Sequence, residues 1–408
     1  MSVDRRRFLR TSLLGGAALL GAPMLNFGRF RLFADSPAQV SGRAADLVLG
    51  TRVIDMLSLL TFDWPLLFRW QNAQAAFREP DFRNLEISGI DVFHPAVDTM
   101  SDDPRAGALA WVRGWRRLLE SQGCFLGLVD SPAALAAAGR SGKIGIVIGF
   151  QNASHFSTAA DVEYFYRLGQ RVSQLTYNER NALGSGCYET RDAGLTAFGA
   201  RVVTEMNRVG MAIDVSHCGE LTALDAVVAS RQPVLITHGN CKALVPGQPR
   251  CRSDALIRAV AKKGGVMGIT MVRAFVGTRR RSPTVDDVLD HFDHVARIAG
   301  VEHVGLGSDV DVTALDPRTR RINPFYDIVG LDPVARVFQI ADGLLARGWS
   351  EAAVRLVLGG NFERVLGDIW RRPETPVQAI ARDPFCPAPS RRVPPVRERR
   401  ELYAEREP

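Results

Sequence analysis

Eight short apolar, β-branched runs, separated by stretches of helical periodicity, constrain this chain more than any other feature. The runs fall at residues 53–59, 87–93, 143–151, 172–178, 212–217, 234–238, 266–271 and 303–309. Between them lie helix-like segments at 108–120, 158–168, 199–209, 221–230, 254–263, 284–299 and 333–347. Alternating strands and helices demand parallel strands with right-handed crossovers. Eight such units predict an α/β fold, a single closed (β/α)8 TIM-like barrel. An open doubly wound sheet is the alternative, but no glycine-rich dinucleotide loop follows the first run. A chain of 408 residues is long enough to bury a large core without disulfides.

The charge balance excludes a nucleic-acid partner. The net charge is +7, but residues 1–34 hold six Arg against one Asp, leaving 45 basic and 43 acidic residues. That basic segment reads Asp-Arg-Arg-Arg-Phe-Leu-Arg over 4–10, followed by an apolar run over 13–25. The run is too short to cross a bilayer, which takes roughly 20 residues. It reads as an export signal resembling the bacterial twin-arginine type, with cleavage expected after Ala34. The alternative is an uncleaved anchor. A periplasmic mature chain with no membrane span is expected. The barrel is expected over 45–370. Residues 371–408, with eight Pro and nine Arg, read as an extended arm. Six Cys form no Cys-x-x-Cys motif, so a disulfide and free thiols both stay open.

In a barrel, catalytic groups gather at the C-terminal ends of the strands. Polar residues stand at several of those ends. Gln151 and Asn152 close the third run, Tyr177 and Asn178 the fourth, His217 the fifth, His238 the sixth and Asp309 the eighth. Two imidazoles and a carboxylate converging from separate strands are good ligands for Zn²⁺ or a similar ion. The other histidines carry less. His291 and His294 are expected on the solvated face of a helix, and His303 at the opposite end of the barrel. His94 and His155 are candidates for the edge of the mouth.

Taken in order, these residues resemble the membrane (renal) dipeptidase family of zinc peptidases, as a divergent bacterial member, over about residues 50–370. The resemblance rests on Gly149-Phe-Gln-Asn152, Leu175-Thr-Tyr-Asn178, Asp214-Val-Ser-His217, Thr237-His-Gly-Asn240, Arg250 with Asp254, Gly305-Leu-Gly-Ser-Asp309 and Gly359-Gly-Asn-Phe362. It implies a (β/α)8 barrel, two metal ions bridged by a carboxylate, and hydrolysis of dipeptides, including dehydrodipeptides and those with D-residues. The departures are specific. Leu57 and Leu59 stand where the family carries the His-x-Asp pair of the first strand. Gln151 replaces the bridging Glu, and Tyr177 replaces an assisting His.

The expectation is therefore a metallodipeptidase-like hydrolase with one Zn²⁺ on His217 and His238, Asp309 nearby. Asp309 would serve as general base and Tyr177 as a hydrogen-bond donor to the oxyanion. By the resemblance, Arg250 takes the free carboxylate of a small dipeptide, with Gln151 and Asn178 beside the substrate. A homodimer is compatible with this reading. Two alternatives stand beside it: a one-metal or metal-free hydrolase or lyase of another kind, and an inactive periplasmic binding relative.

Overall fold

The computed structural model describes residues 29–31, 38–73, 76–99, 102–278 and 281–370. Its strands form one ring. The first strand, Ile54–Asp55, pairs in parallel with Val92–Phe93, and that with Ile144–Ile146. After a short break the second and third strands resume as Ala96–Val97 and Gly149–Phe150, again paired in parallel. The order continues through Val172–Gln174, Ala212–Asp214, Val234–Gly239, Met267–Ile269 and Val304–Leu306. Leu306 then pairs with Asp55 and closes the barrel. One further strand, Leu126–Leu128, lies outside the ring against Ile144–Ile146. The expected (β/α)8 architecture is thus present, and the open sheet is excluded.

The strands read as continuous apolar runs because both faces are covered, by the barrel interior and by the helices. The helices begin where the sequence supplies a cap. Thr196, Ser253 and Ser131 each accept an N–H of the first turn, and Asp103 does so ahead of Pro104. Thr284 and Asp287 form a reciprocal capping box. The seven expected helices all form, within three residues at the N-terminal end for six of them.

Two features position the mouth. The last helix, Asn361–Trp370, presents Phe362, Val365, Leu366 and Ile369 to Ile54, Val92, Val172, Ala212 and Val266. It therefore plugs the bottom of the barrel and leaves only the C-terminal end of the strands for chemistry. At that end Asp55 binds the loop after the eighth strand. Its carboxylate accepts from Ser308 N–H at 2.8 Å and Ser308 Oγ at 2.5 Å, and Arg336 Nη2 lies 3.5 Å away. Arg336, fully buried, also donates to Ser58 Oγ and to the carbonyls of Asp311 and Pro333.

Several expectations are corrected. All but the sixth strand are shorter than their sequence runs, so the polar residues at the run ends, His238 excepted, lie on the loops beyond the ladders. Residues 87–91 are a turn after the helix Glu79–Glu86, not strand. The helix Val285–Ala299 has no solvated histidine face. His291 is fully buried, accepts from Cys241 N–H at 3.0 Å through Nδ1, and donates Nε2–H to Val276 O at 3.0 Å. His294 is also buried, 2.8 Å from Asp254 Oδ1. The helix is flanked by neighbours on both sides, so its period offers two buried stripes. His303 sits at the far end, bonded to Gly265 O, as expected.

The export leader and the C-terminal arm lie outside the described residues, apart from Arg29–Arg31, which pairs antiparallel with Gln39–Ser41. Cys124 is disulfide-bonded. Cys187, Cys218, Cys241 and Cys251 are free. Among the described residues no helix is long and apolar enough to cross a membrane.

Candidate active site

His217 and His238 arrive from adjacent strands and meet. The Nε2 atoms are 3.0 Å apart. His238 lies within the sixth strand, and His217 stands three residues beyond the last residue of the fifth. Gly307 lets the eighth strand approach them. A Cβ there would lie 1.9 Å from the carbonyl oxygen of Thr237, so no larger residue fits.

The far nitrogen of each ring has a defined partner. His217 Nδ1 lies 2.8 Å from Asn178 Oδ1, an acceptor, and therefore donates. His238 Nδ1 lies 2.9 Å from Thr237 Oγ1. That hydroxyl gives its one hydrogen to Asp214 Oδ2 at 2.6 Å, so it accepts from His238. Both Nε2 atoms are thus left with lone pairs facing one another. Burial first, then the Arg250 charge, hold both imidazoles well below their ordinary pKa and hence neutral. Two neutral lone pairs at this distance repel unless a cation lies against both. Two Zn–N bonds of about 2 Å at a tetrahedral angle would hold the nitrogens about 3.3 Å apart. The pair fits one divalent ion.

Leu57 is fully buried and Leu59 nearly so, and neither can ligate. Gln151 donates Nε2–H to Ala96 O at 3.1 Å, which ties its amide to the second strand. Asp309 Oδ2 is 4.0 Å from His238 Nε2. Among the described residues no group of three or more His, Cys, Asp or Glu is placed to hold a metal ion.

Asp309 is held by its backbone, with φ of 58° and its N–H donated to Leu57 O at 2.7 Å. Asn178 is also left-handed, at φ 57°. Neither is glycine, and such backbone clusters at sites where a side chain must be aimed. Burial pushes the Asp309 carboxyl up to about 7; the Arg250 charge opposes this and the Asp55 charge adds to it. Tyr177 stacks on the His217 ring, centroids 4.2 Å apart and planes inclined by 24°. Burial, aided by the Asp309 charge, pushes its hydroxyl up to about 12, so it remains a donor.

Arg250 is fully buried beside the pair. Its Nη2 donates to His238 O at 3.0 Å, its guanidinium lies over the Phe275 ring, and Nε and Nη1 have no partner among the protein's own groups. A buried guanidinium with idle donors calls for an anionic guest.

The expected site residues therefore fall into two sets. His217, His238, Asp309, Tyr177 and Arg250 share the mouth. Asn178 orients His217, and Gln151 is anchored to a neighbouring strand. Both were expected beside substrate, and the structure gives them internal partners. His155 is not at the mouth. It packs among Phe150, Phe156 and Phe165 and bonds Gln170. His94 is buried, with Nδ1 bonded to Met56 O and Nε2 beside Gly149. Sequence reasoning missed Thr237 and Asp214 as partners of His238. Both stood inside the motifs, but their pairing is visible only once the fifth and sixth strands lie side by side.

Known proteins share this arrangement of sequence and fold. The family model described as membrane dipeptidase (peptidase family M19) matches residues 83–375. A dipeptidase of Clonostachys rogersoniana, verJ, is 32% identical over 255 residues, 62% of each chain. The match thus spans under two thirds of that relative's length. The solved structure of an amidohydrolase from Pseudomonas aeruginosa superposes with a TM-score of 0.67 at 30% identity, covering 80% of this chain and 99% of its own. A metallo peptidase from Rhodobacter sphaeroides, liganded with a phosphinate mimic of L-Ala-D-Ala, superposes at 0.66 with 19% identity, covering 78% and 99%, and supports the fold alone.

Proposed function

This chain belongs to the membrane dipeptidase family (peptidase family M19), a family of metallopeptidases, and we propose that it is an exported hydrolase of small dipeptides working with one Zn²⁺ rather than two. The observation that carries this reading is the pair of imidazole Nε2 atoms 3.0 Å apart, beside the buried Leu57 and Leu59 just beyond the first strand. His217 and His238 would hold the ion, with Asp309 close by. When bound, it supplies Lewis acidity to a carbonyl and to water.

The chain's own residues do the rest. Arg250 takes the substrate's free carboxylate through an idle donor and so fixes which peptide bond faces the mouth. Asp309 accepts the proton of the attacking water, and a carboxyl near neutrality is suited to passing it on to the leaving amine. The Tyr177 hydroxyl, kept protonated, donates to the oxygen that gains charge at the tetrahedral carbon. The twin-arginine leader would place this chemistry in the periplasm.

A dipeptide panel assayed with and without added Zn²⁺ or Mn²⁺ tests the reading. Wild type should hydrolyse at least one member of the panel, and His217→Ala and His238→Ala none. A wild type that binds no metal and is inert on every dipeptide would favour the rival, an inactive binding relative that retains Arg250. That rival draws on the lack of a third donor within reach of the histidine pair among the described residues.

A further inference from the structure

Asp214 lies at the end of the fifth strand, fully enclosed, three residues before His217. Its two oxygens accept four hydrogen bonds: from Ser216 N–H at 2.9 Å, Ser216 Oγ at 2.5 Å, Thr237 N–H at 3.0 Å and Thr237 Oγ1 at 2.6 Å. Four donors converging on one carboxylate leave it no role but acceptor. The Thr237 hydroxyl, its hydrogen spent on Asp214, offers only a lone pair to His238 Nδ1 at 2.9 Å. Ser216 completes the cradle by accepting His238 N–H at 3.1 Å. Carboxylate-to-histidine contacts often orient metal-binding imidazoles directly. Here a threonine hydroxyl is interposed, and it comes from the residue next to the histidine.

We propose that Asp214 and Thr237 act together as positioning residues that hold His238 in the tautomer protonated at Nδ1, so that its Nε2 lone pair faces that of His217. The metal-affinity part of this rests on the one-ion reading above; the tautomer part does not. The relay has two consequences. A hydroxyl is required at 237, and the methyl group of Thr is dispensable. The carboxylate at 214 is required as an acceptor, because an amide would present a donor to the hydroxyl and turn its hydrogen toward His238.

The test uses the whole protein. Nitrogen-15 histidine spectra of the metal-free protein read the tautomer of His238 directly, and competitive Zn²⁺ titration reads affinity. Wild type and Thr237→Ser should show Nδ1–H at His238 and bind Zn²⁺ within about threefold of each other. Thr237→Val, nearly the same size, should lose the single tautomer and weaken Zn²⁺ by about 10- to 100-fold. Asp214→Asn should do the same where it folds, and the Ser and Val pair decides the matter if it does not. A Thr237→Val protein with the wild-type tautomer and wild-type affinity would overturn the proposal. Wild type that binds no Zn²⁺ yet shows the relayed tautomer would instead defeat the one-ion reading and leave the relay standing.

Discussion

Replacing Asp309 with Asn should make the metal-free protein more stable, and the gain should grow with pH. In the fold the Asp309 carboxyl, 20% exposed, titrates at about 7 against an ordinary value of 3.8. The sign follows from which state holds the proton. Below about pH 4 the group is protonated folded and unfolded, and it contributes nothing. Between about 4 and 7 the unfolded chain ionises first, so stability falls as pH rises. Above 7 both states are ionised, and the folded state carries the full penalty. Each tenfold difference in proton affinity between the two states is worth about 1.4 kcal/mol, so the penalty levels at about 4 kcal/mol. Between pH 5 and pH 8 the advantage of Asp309→Asn over wild type should widen by about 2 to 3 kcal/mol. Urea unfolding of both proteins at the two pH values, after dialysis against chelator, measures it. A stability difference that stays constant from pH 5 to pH 8 would refute the burial argument, and with it the case for Asp309 as a base tuned near neutrality.

Other expected outcomes are more direct. Arg250→Met keeps most of the volume but removes the idle donors. It should raise KM for dipeptides by about 10- to 100-fold with a smaller change in kcat, since the carboxylate contact exists before the transition state. Restoring ligands with Leu57→His, Leu59→Asp and Gln151→Glu should cost the metal-free fold several kcal/mol, because the two leucine positions are buried. Its Tm should recover on adding Zn²⁺, whereas wild type, with leucines there, should show a smaller rise. Changing Arg5, Arg6 and Arg7 to Lys together should strand the protein in the cytoplasm, as read by fractionation.

The barrel was legible because parallel strands covered on both faces must be apolar throughout, and helices must repeat at 3.6 residues. Both periods stand plainly in the sequence. The convergence of His217, His238 and Asp309 followed from one rule, that the C-terminal strand ends share a mouth. How side chains are spent is not written locally. Asn178 ends the fourth run and looks free, but its amide oxygen accepts from His217 Nδ1. Gln151 is likewise committed to Ala96 on the neighbouring strand. His291 and His294 sit on a helix rich in acids, which suggests a wet surface. The neighbouring helices and the loop around Cys241 cover that face, and nothing local in the sequence marks them. Thr237 is informative only in company with Asp214, 23 residues earlier, and that pairing is set by strand register.

On the reading proposed for this site, one ion is held by His217 and His238, and the other metal position is filled with leucine. Elemental analysis of purified, Zn²⁺-loaded protein, with both histidine variants alongside, tests this most directly. One ion per chain is expected in wild type, and none in His217→Ala or His238→Ala. Two ions per chain, or one that survives both substitutions, would contradict it.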